Sequence, residues 1–283
     1  MKTGLVLEGG GRRALVSEGF FDVMLEKGIR VDGIIGVSAG ALFGCNFKSR
    51  QPGRGLRYNI RFKDDPRYMG WRSMLTTGNY VAPKFAFHTM PMELDVVDIP
   101  TFETDPTEFH LVCTDVETGQ AVYHRVERID DHELEWFRAT GSMPIVSRPV
   151  RIEGRQLLDG GMVDCIPLRH FQSIGFERNL VILTRPEGYQ KAPSRLTPPL
   201  CRLFHPHHPK VAECMKRRHE MYNAQLQYLE TEAQKGNTLL VRPDHPLDIG
   251  RIELDEPKLR AIYDHGRQKA LAMLSQVRDF LHQ

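Results

Sequence analysis

The sequence predicts an α/β fold in which a mostly parallel sheet carries helices on both faces. Its first fifty residues alternate short apolar runs of strand length with stretches of helical period, so the chain opens as β-α-β-α. Parallel neighbouring strands need crossover connections, and helices supply them. Two turns interrupt this opening: three consecutive glycines follow the first strand, and a G-x-S-x-G sequence follows the second.

The other elements follow from hydrophobic period and turn residues. Proline, methionine and aromatic residues make 55–100 irregular, so we expect only short helices and loops there, in a segment of the kind that often forms lids and binding surfaces. The proline-rich segment 187–209 is interpreted as a loop. Strands are predicted at 3–7, 32–36, 109–115, 121–125, 150–152, 156–158, 180–184 and 238–241, and helices at 14–27, from 39 onward, 133–140, 167–174, 210–235 and 257–281.

Composition indicates an ordinary globular chain of one large domain or two small ones. It has 283 residues, 41% of them hydrophobic, and a net charge of +2, which says little about partners. No internal repeat or low-complexity linker divides it. We therefore expect a single domain with a helical elaboration at the C-terminus.

Three features favour a cytoplasmic location. The longest uncharged stretch, 33–47, is shorter than the ~20 apolar residues of a spanning helix. The apolar segment between Lys2 and Glu8 is too short for a secretory signal. The five cysteines are scattered without a C-x-x-C pair, as expected of reduced thiols rather than a disulfide framework or zinc site; they are Cys45, Cys113, Cys165, Cys201 and Cys214.

Ser38 is the candidate nucleophile. It occupies the centre of the G-x-S-x-G turn between a predicted buried strand and a predicted helix, which is the order that a nucleophile elbow requires. Gly36 and Gly40 flank it, because a Cβ at either position would collide with the neighbouring strand or helix. The motif alone is a weak signal, and its strand–turn–helix context strengthens it.

A serine nucleophile also needs hydrogen-bond donors for the oxyanion that forms on attack. Gly9, Gly10 and Gly11 lie between a strand end and a helix start, where successive backbone N–H groups can converge on an anion. Neighbouring strand ends of a parallel sheet share one edge, so this loop and Ser38 should face one crevice.

The general base is harder to identify from the residues. A Ser-His-Asp triad would be the first hypothesis, and His245 and His265 are late candidates. However, Ser38 follows only the second strand, whereas an α/β-hydrolase serine follows several. On local sequence alone, Asp159 before two glycines is an ordinary turn residue.

Three motifs in order resemble the patatin-like phospholipase family. Gly9 to Arg13 match its G-G-G-x-[RK]-G loop, 36–40 its G-x-S-x-G elbow, and 159–161 its D-G-[GA] turn. One departure is Ala14, where the family usually has glycine, and we expect it to alter the helix start only slightly. The resemblance covers about the first 185 residues. It implies a three-layer α/β/α catalytic core over 1–185, followed by a helical C-terminal elaboration over 186–283 that packs on the core.

The resemblance implies a serine lipid acyl hydrolase of the phospholipase A, lysophospholipase or esterase type. Ser38 would attack an ester carbonyl, Asp159 would act directly as base, and Gly9, Gly10 and Gly11 would hold the oxyanion. Arg13 would brace the loop or meet phosphate, while Gly160 and Gly161 would allow close packing around Asp159. No metal and no organic cofactor is implied, and the partner is a lipid or other acyl-ester substrate.

Several alternatives stay open at this point. An acyltransferase could use the same dyad, and a catalytically weak relative could be a lipid-binding regulatory protein. Gly9 to Ala14 also fit a dinucleotide fingerprint, but the elbow occupies the position where that fold needs an acid.

Two surface segments also carry functional alternatives. His205, His207 and His208 lack acidic or cysteine partners at metal-ligand spacing, which favours a solvated loop. The basic and aromatic segment 54–72 could contact anionic lipid at the inner face of the membrane. No fold signature supports nucleic acid as a partner.

Overall fold

The computed structural model describes residues 1–250 and 252–282. These residues contain one sheet of eight strands. The strands are β1 (Lys2–Leu7), β2 (Gly33–Val37), β3 (Glu108–Asp115), β4 (Ala121–Arg125), β5 (Val150–Ile152), β6 (Arg155–Asp159), β7 (Phe176–Ile182) and β8 (Thr238–Val241). The helices are α1 (Leu15–Glu26), α2 (Ala39–Lys48), α3 (Arg54–Arg61), α4 (Trp71–Thr77), α5 (Ile99–Thr104), α6 (Asp131–Thr140), α7 (Leu168–Ser173), α8 (Thr197–Phe204), α9 (Pro209–Gln234), α10 (Glu256–Ala272) and α11 (Leu274–His282). Short 3-10 helices cover Gly11–Ala14 and Gly160–Met162, and a π-helix covers Phe85–Leu94.

The sheet is mostly parallel, as predicted. Its strand order is β5-β6-β3-β2-β1-β7-β8, and β4 pairs with β3 off this path. Parallel pairing joins β3 to β2, β2 to β1, β1 to β7 and β7 to β8. The antiparallel pairs are β3–β4, β3–β6 and β5–β6.

Alternate residues of the central strands belong to two different hydrophobic clusters, because successive strand side chains point to opposite faces. Leu5 and Ile34 pack with buried side chains of α1, α2, α6 and α10. Val6 and Ile35 pack with side chains of α7 and α9. The chain therefore forms the predicted three layers, with helices covering both faces of the sheet.

One edge of β3 is shared by two strands. β2 pairs with β3 only as far as Val37, which lies opposite Val112. β4 occupies the other edge of β3 over 110–114, so β6, whose Asp159 lies opposite Cys113, must take the edge that β2 leaves. The end of β2 and the end of β6 therefore meet at consecutive positions along β3.

Two predictions of local structure were wrong. The segment 187–209, predicted as a loop, contains the helix α8, whose first turn includes Pro198 and Pro199. Backbone N–H groups in the first turn of a helix have no helical acceptor, so proline is tolerated there. These prolines therefore indicate the start of a helix rather than a loop. The predicted helix 257–281 is two helices, because α10 ends at Ala272 and α11 begins at Leu274. No glycine or proline at this break signals it in the sequence.

The segment after residue 185 is built into the core. β8 extends the sheet beside β7, and α10 packs closely on α1. A Cβ on Gly19 would collide with the carbonyl oxygen of Tyr263, and one on Gly266 with that of Val16, so these two helices touch backbone to backbone. Among the described residues, no helix combines the length and apolar character needed to cross a membrane.

A pair of buried carboxyl groups lies under α3, beside the contact of α1 with α10. Glu18 and Asp22 are both fully buried. Glu18 accepts a hydrogen bond from the backbone N–H of Gly55 at 2.5 Å, and Asp22 accepts bonds from the Gly53 N–H at 2.6 Å and the Tyr263 hydroxyl at 2.7 Å. Burial raises the pKa of Asp22 from 3.8 to about 7, and burial together with the nearby Asp22 raises that of Glu18.

This pair predicts a pH dependence of folding. Because the pKa of Asp22 is higher in the folded chain, its stabilising contribution is complete below pH 4 and is lost as the pH rises toward 7. At about 1.4 kcal/mol per pKa unit, the loss is on the order of 4 kcal/mol. Asp22→Asn, which keeps an acceptor oxygen, should remove that loss and unfold at higher urea concentration than wild type at pH 8.

Urea unfolding at pH 5 and pH 8 measures the effect. Asp264→Asn, at an exposed carboxyl on α10, is the matched control and should follow the wild-type pH dependence. If Asp22→Asn and wild type lose the same stability between the two pH values, burial of Asp22 does not cause the dependence.

Candidate active site

Ser38 lies in a strained turn between β2 and α2. Its backbone φ of 55° and ψ of −128° are unusual for a residue with a side chain, and they are the kind of strain found at nucleophile elbows. The flanking glycines are required by packing. A Cβ on Gly36 would lie 2.5 Å from the backbone nitrogen of Ala41, and one on Gly40 would lie 2.5 Å from the carbonyl oxygen of Leu7.

Thr140, the last residue of α6, holds the elbow in position. Its hydroxyl oxygen accepts a hydrogen bond from the backbone N–H of Ser38 at 2.9 Å, and its hydroxyl donates to the carbonyl oxygen of Val112 at 2.6 Å. Val112 is the last β3 residue that pairs with β2. One threonine therefore ties the strained turn to β3, a role that no local sequence pattern predicts.

Asp159 ends β6 beside this turn. It is 7% exposed, and its Oδ1 accepts a hydrogen bond from the Gly161 backbone N–H at 2.8 Å. Its own N–H donates to the carbonyl of Ser142 at 2.9 Å, and its carbonyl accepts a bond from the Thr114 hydroxyl at 2.8 Å. Bonds on both sides of the residue fix the backbone that carries this carboxyl group.

The glycines after Asp159 meet a steric requirement. A Cβ on Gly160 would collide with the carbonyl oxygen of Val112, and one on Gly161 would lie 3.1 Å from Oδ1 of Asp159. The chain that follows β6 therefore passes the β3 backbone this closely only because residue 160 is glycine. The first glycine of the D-G-G sequence is thus required by contact with the β3 backbone, in addition to the close packing around Asp159 that the resemblance implies.

The glycine loop after β1 packs directly against Ser38. A Cβ on Gly9 would lie 3.0 Å from the Cβ of Ser38, and one on Gly10 would lie 2.9 Å from the Thr184 hydroxyl. Gly11 has a φ of 59°, in the region that favours glycine. The loop therefore approaches the serine more closely than side-chain-bearing residues would allow.

A small polar cavity brings the predicted site residues together. It measures about 50 Å³, and Ser38, Asp159, Arg13 and the three glycines 9–11 all line it. Gly161 lines it as well, whereas Gly36, Gly40 and Gly160 act through the backbone packing described above. Three basic residues that sequence reasoning missed also line this cavity: Arg185, Lys191 and Arg218. They come from distant segments and share no motif.

A larger apolar cavity of about 160 Å³ also reaches Ser38. Ser38, Gly11 and Met143 line both cavities. Much of the apolar wall comes from the irregular segment 55–100, as expected of a segment that forms binding surfaces. The side chains of this wall include Leu42, Phe43, Tyr58, Tyr68, Phe87, Met90, Leu134 and Phe137.

The histidine candidates lie elsewhere. His245 and His265 contact each other at 4.9 Å between ring centroids, and the Asp244 backbone N–H donates to His265. His205 is buried and bonds the carbonyl of Pro144, and His208 lies 2.7 Å from Glu117. Over the described residues, no three histidine, cysteine or acidic side chains are grouped as a metal site would need.

The basic and aromatic segment 54–72 has mostly buried aromatic rings and mostly exposed basic side chains. Arg54 is buried and pairs with Asp95, which also pairs with Arg57. Tyr58, Phe62 and Tyr68 are buried as well, whereas Trp71 is 75% exposed. The basic side chains of Arg57, Arg61, Arg67 and Arg72 are also exposed, so contact of this segment with anionic lipid stays a prediction.

Comparison with known proteins identifies similar chains. YjjU of Escherichia coli K12, an uncharacterised protein, is 24% identical over 276 residues, which cover 93% of this chain and 74% of that protein. Lysophospholipase nte1 of Emericella nidulans is 30% identical over 179 residues, covering 61% of this chain but 11% of that much longer protein. An uncharacterised NTE family protein of Mycobacterium bovis is 24% identical over 201 residues, covering 69% of this chain and 51% of its own length.

Structural comparison finds VipD of Legionella pneumophila, with a TM-score of 0.48 and 10% identity over 97% of this chain and 67% of that one. Two family models match the sequence. A domain of unknown function, DUF6363, matches residues 208–282. The model for patatin-like phospholipase matches residues 5–171, which is more than half of the chain and includes both Ser38 and Asp159. The chain therefore belongs to the patatin-like phospholipase family.

Proposed function

We propose that this protein is a serine lipid acyl hydrolase that works through a Ser38–Asp159 dyad. Membership of a phospholipase family supports lipid hydrolysis, and relatives named as lysophospholipases agree with it. The observation that carries the proposal is the shared edge of β3. There the strained Ser38 follows Val37, which pairs with Val112, and Asp159 pairs with the next residue, Cys113.

In the proposed reaction, the Ser38 hydroxyl attacks the ester carbonyl carbon while Asp159 accepts the hydroxyl proton. The negative charge on the carbonyl oxygen faces the glycine loop, whose backbone N–H groups are the proposed donors. The carbon–oxygen bond to the alcohol then breaks, and Asp159 returns the proton to the departing oxygen. Water attacks the acyl-serine, gives its proton to Asp159, and releases the fatty acid as Ser38 recovers its hydrogen.

The apolar cavity is the proposed site for the acyl chain. It begins at Ser38, so an ester carbonyl held at the serine can extend its hydrocarbon into a wall of aliphatic and aromatic side chains. Burying each methylene there contributes about 0.8 kcal/mol. The alcohol part of the ester then extends toward the polar cavity, which Ser38 also lines.

Removing either member of the dyad should abolish hydrolysis. Ser38→Ala lacks the nucleophile and Asp159→Asn lacks the base, so each should lower kcat for lysophosphatidylcholine and p-nitrophenyl butyrate at least ~100-fold. Ser275→Ala and Asp264→Asn, at exposed positions on α11 and α10, are matched controls that should retain wild-type rates. Full activity in either dyad variant, with wild-type circular dichroism, would refute the assignment.

Narrowing the apolar cavity should change acyl-length preference. Ala86 is buried and lines the cavity, so Ala86→Phe should lower kcat/KM for a sixteen-carbon p-nitrophenyl ester about tenfold or more relative to the four-carbon ester. The control Ala261→Phe adds the same side chain at an exposed position on α10. An unchanged ratio of the two kcat/KM values in a folded Ala86→Phe protein would show that the acyl chain binds elsewhere.

A further inference from the structure

The polar cavity beside Ser38 carries an excess of positive charge. Four basic side chains line it, Arg13, Arg185, Lys191 and Arg218, against two acidic ones, Glu8 and Asp159. The difference, four minus two, leaves two positive charges. Three of the four basic residues lie outside residues 5–171, the part that matches the patatin-like model. The chain beyond the catalytic region therefore supplies most of this charge.

Arg218 brings its charge to the cavity from α9. Its Nε–H donates to the carbonyl of Gly161, and its Nη2 lies 3.3 Å from the sulfur of Cys165. Burial opposes the charged form, but interactions with Cys165, Asp159 and Glu8 outweigh it and raise the pKa of Arg218. The guanidinium is therefore a fixed cation next to the turn that carries Asp159.

Aromatic rings hold two of the other three cations, Arg185 and Lys191. The guanidinium of Arg185 lies 4.5 Å from the ring centre of Tyr189, and the ammonium of Lys191 lies 4.4 Å from that of Tyr222. Tyr222 is fixed in turn, because its hydroxyl donates to Glu8 at 2.7 Å. The side-chain oxygen of Asn223 accepts a hydrogen bond from the backbone N–H of Lys191 at 2.8 Å. These contacts restrain both side chains before any ligand binds.

The cavity has the size and position of a site for a compact anion. Its volume of about 50 Å³ holds roughly four water-sized groups at ~10–15 Å³ each, close to the volume of one phosphate group. It adjoins the apolar cavity at Ser38, Gly11 and Met143, which line both. With the acyl chain in the apolar cavity, the alcohol part of the ester projects into this group of cations.

We propose that the polar cavity binds the phosphate of a glycerol phosphate ester through Arg185, Lys191 and Arg218. The preferred substrates are then acyl esters that carry net negative charge close to the bond that breaks, rather than neutral glycerides. This inference rests on the proposed function, since it takes Ser38 as the point where acyl chain and alcohol separate. It also gives residues beyond the catalytic region a role in substrate choice.

The alternative role for these cations is structural. Arg218 bonds the turn after Asp159 and Lys191 packs on Tyr222, so both could serve only to balance Glu8 and Asp159. A structural role would affect every substrate alike. A phosphate site would affect substrates that carry phosphate more than those that do not, so the ratio of two substrates separates the two roles.

The test compares oleoyl lysophosphatidic acid with oleoylglycerol, which share one acyl chain, in mixed detergent micelles of fixed composition. Wild type should show the higher kcat/KM for the phosphate ester. The double variant Arg185→Gln/Lys191→Gln should lower the ratio of the two kcat/KM values at least tenfold, mainly through KM of the phosphate ester. Arg202→Gln, at an exposed position on α8, is the matched control and should leave the ratio unchanged.

Binding provides a readout that does not depend on hydrolysis. Titration calorimetry with sn-glycerol 3-phosphate should detect binding to Ser38→Ala. The triple variant Ser38→Ala/Arg185→Gln/Lys191→Gln should bind it at least tenfold more weakly. No binding to Ser38→Ala, or a ratio of kcat/KM values that the double variant leaves unchanged, overturns the phosphate site. Binding without hydrolysis of either ester would keep the phosphate site and refute the proposed function instead.

Discussion

The structure depends on the way two strands share one edge of β3. β2 leaves that edge after Val112 because the chain turns sharply at Ser38, and β6 enters at Cys113 with Asp159. The exchange is possible because Gly160 lets the chain pass the Val112 carbonyl, which the Thr140 hydroxyl satisfies at 2.6 Å. Two residues far apart in the sequence thereby come to adjacent positions without a long loop to hold either of them.

This geometry also separates the surroundings of the two halves of an ester. Ser38 lines both cavities, so the serine meets one apolar cavity and one polar cavity that is rich in cations. The apolar wall comes largely from the irregular segment 55–100, and most of the cations come from the chain after residue 184. The core sheet thus supplies the proposed chemistry, while the segments around it form the surfaces that a substrate would meet.

The sequence predicted the features that depend on local residues. The elbow could be recognised because close backbone contacts require glycine at positions 36 and 40, which produces the G-x-S-x-G motif. The strands could be recognised from their apolar runs. Thr140, Arg185 and Arg218 could not, because each acts on a residue that is distant in the chain and carries no motif. The helix α8 was missed because its prolines, which fit a first helical turn, were interpreted as loop residues. The domain boundary at residue 185 and the catalytic roles stay predictions.

Reaction with a fluorophosphonate tests the central claim, that Asp159 activates Ser38, because the reagent needs an activated serine but no lipid-binding step. Peptide mass spectrometry should find the phosphonyl group on Ser38, and Asp159→Asn should slow its attachment by a factor of about 100 or more. Labelling of another residue, or attachment to Ser38 at the wild-type rate in Asp159→Asn, would contradict the account.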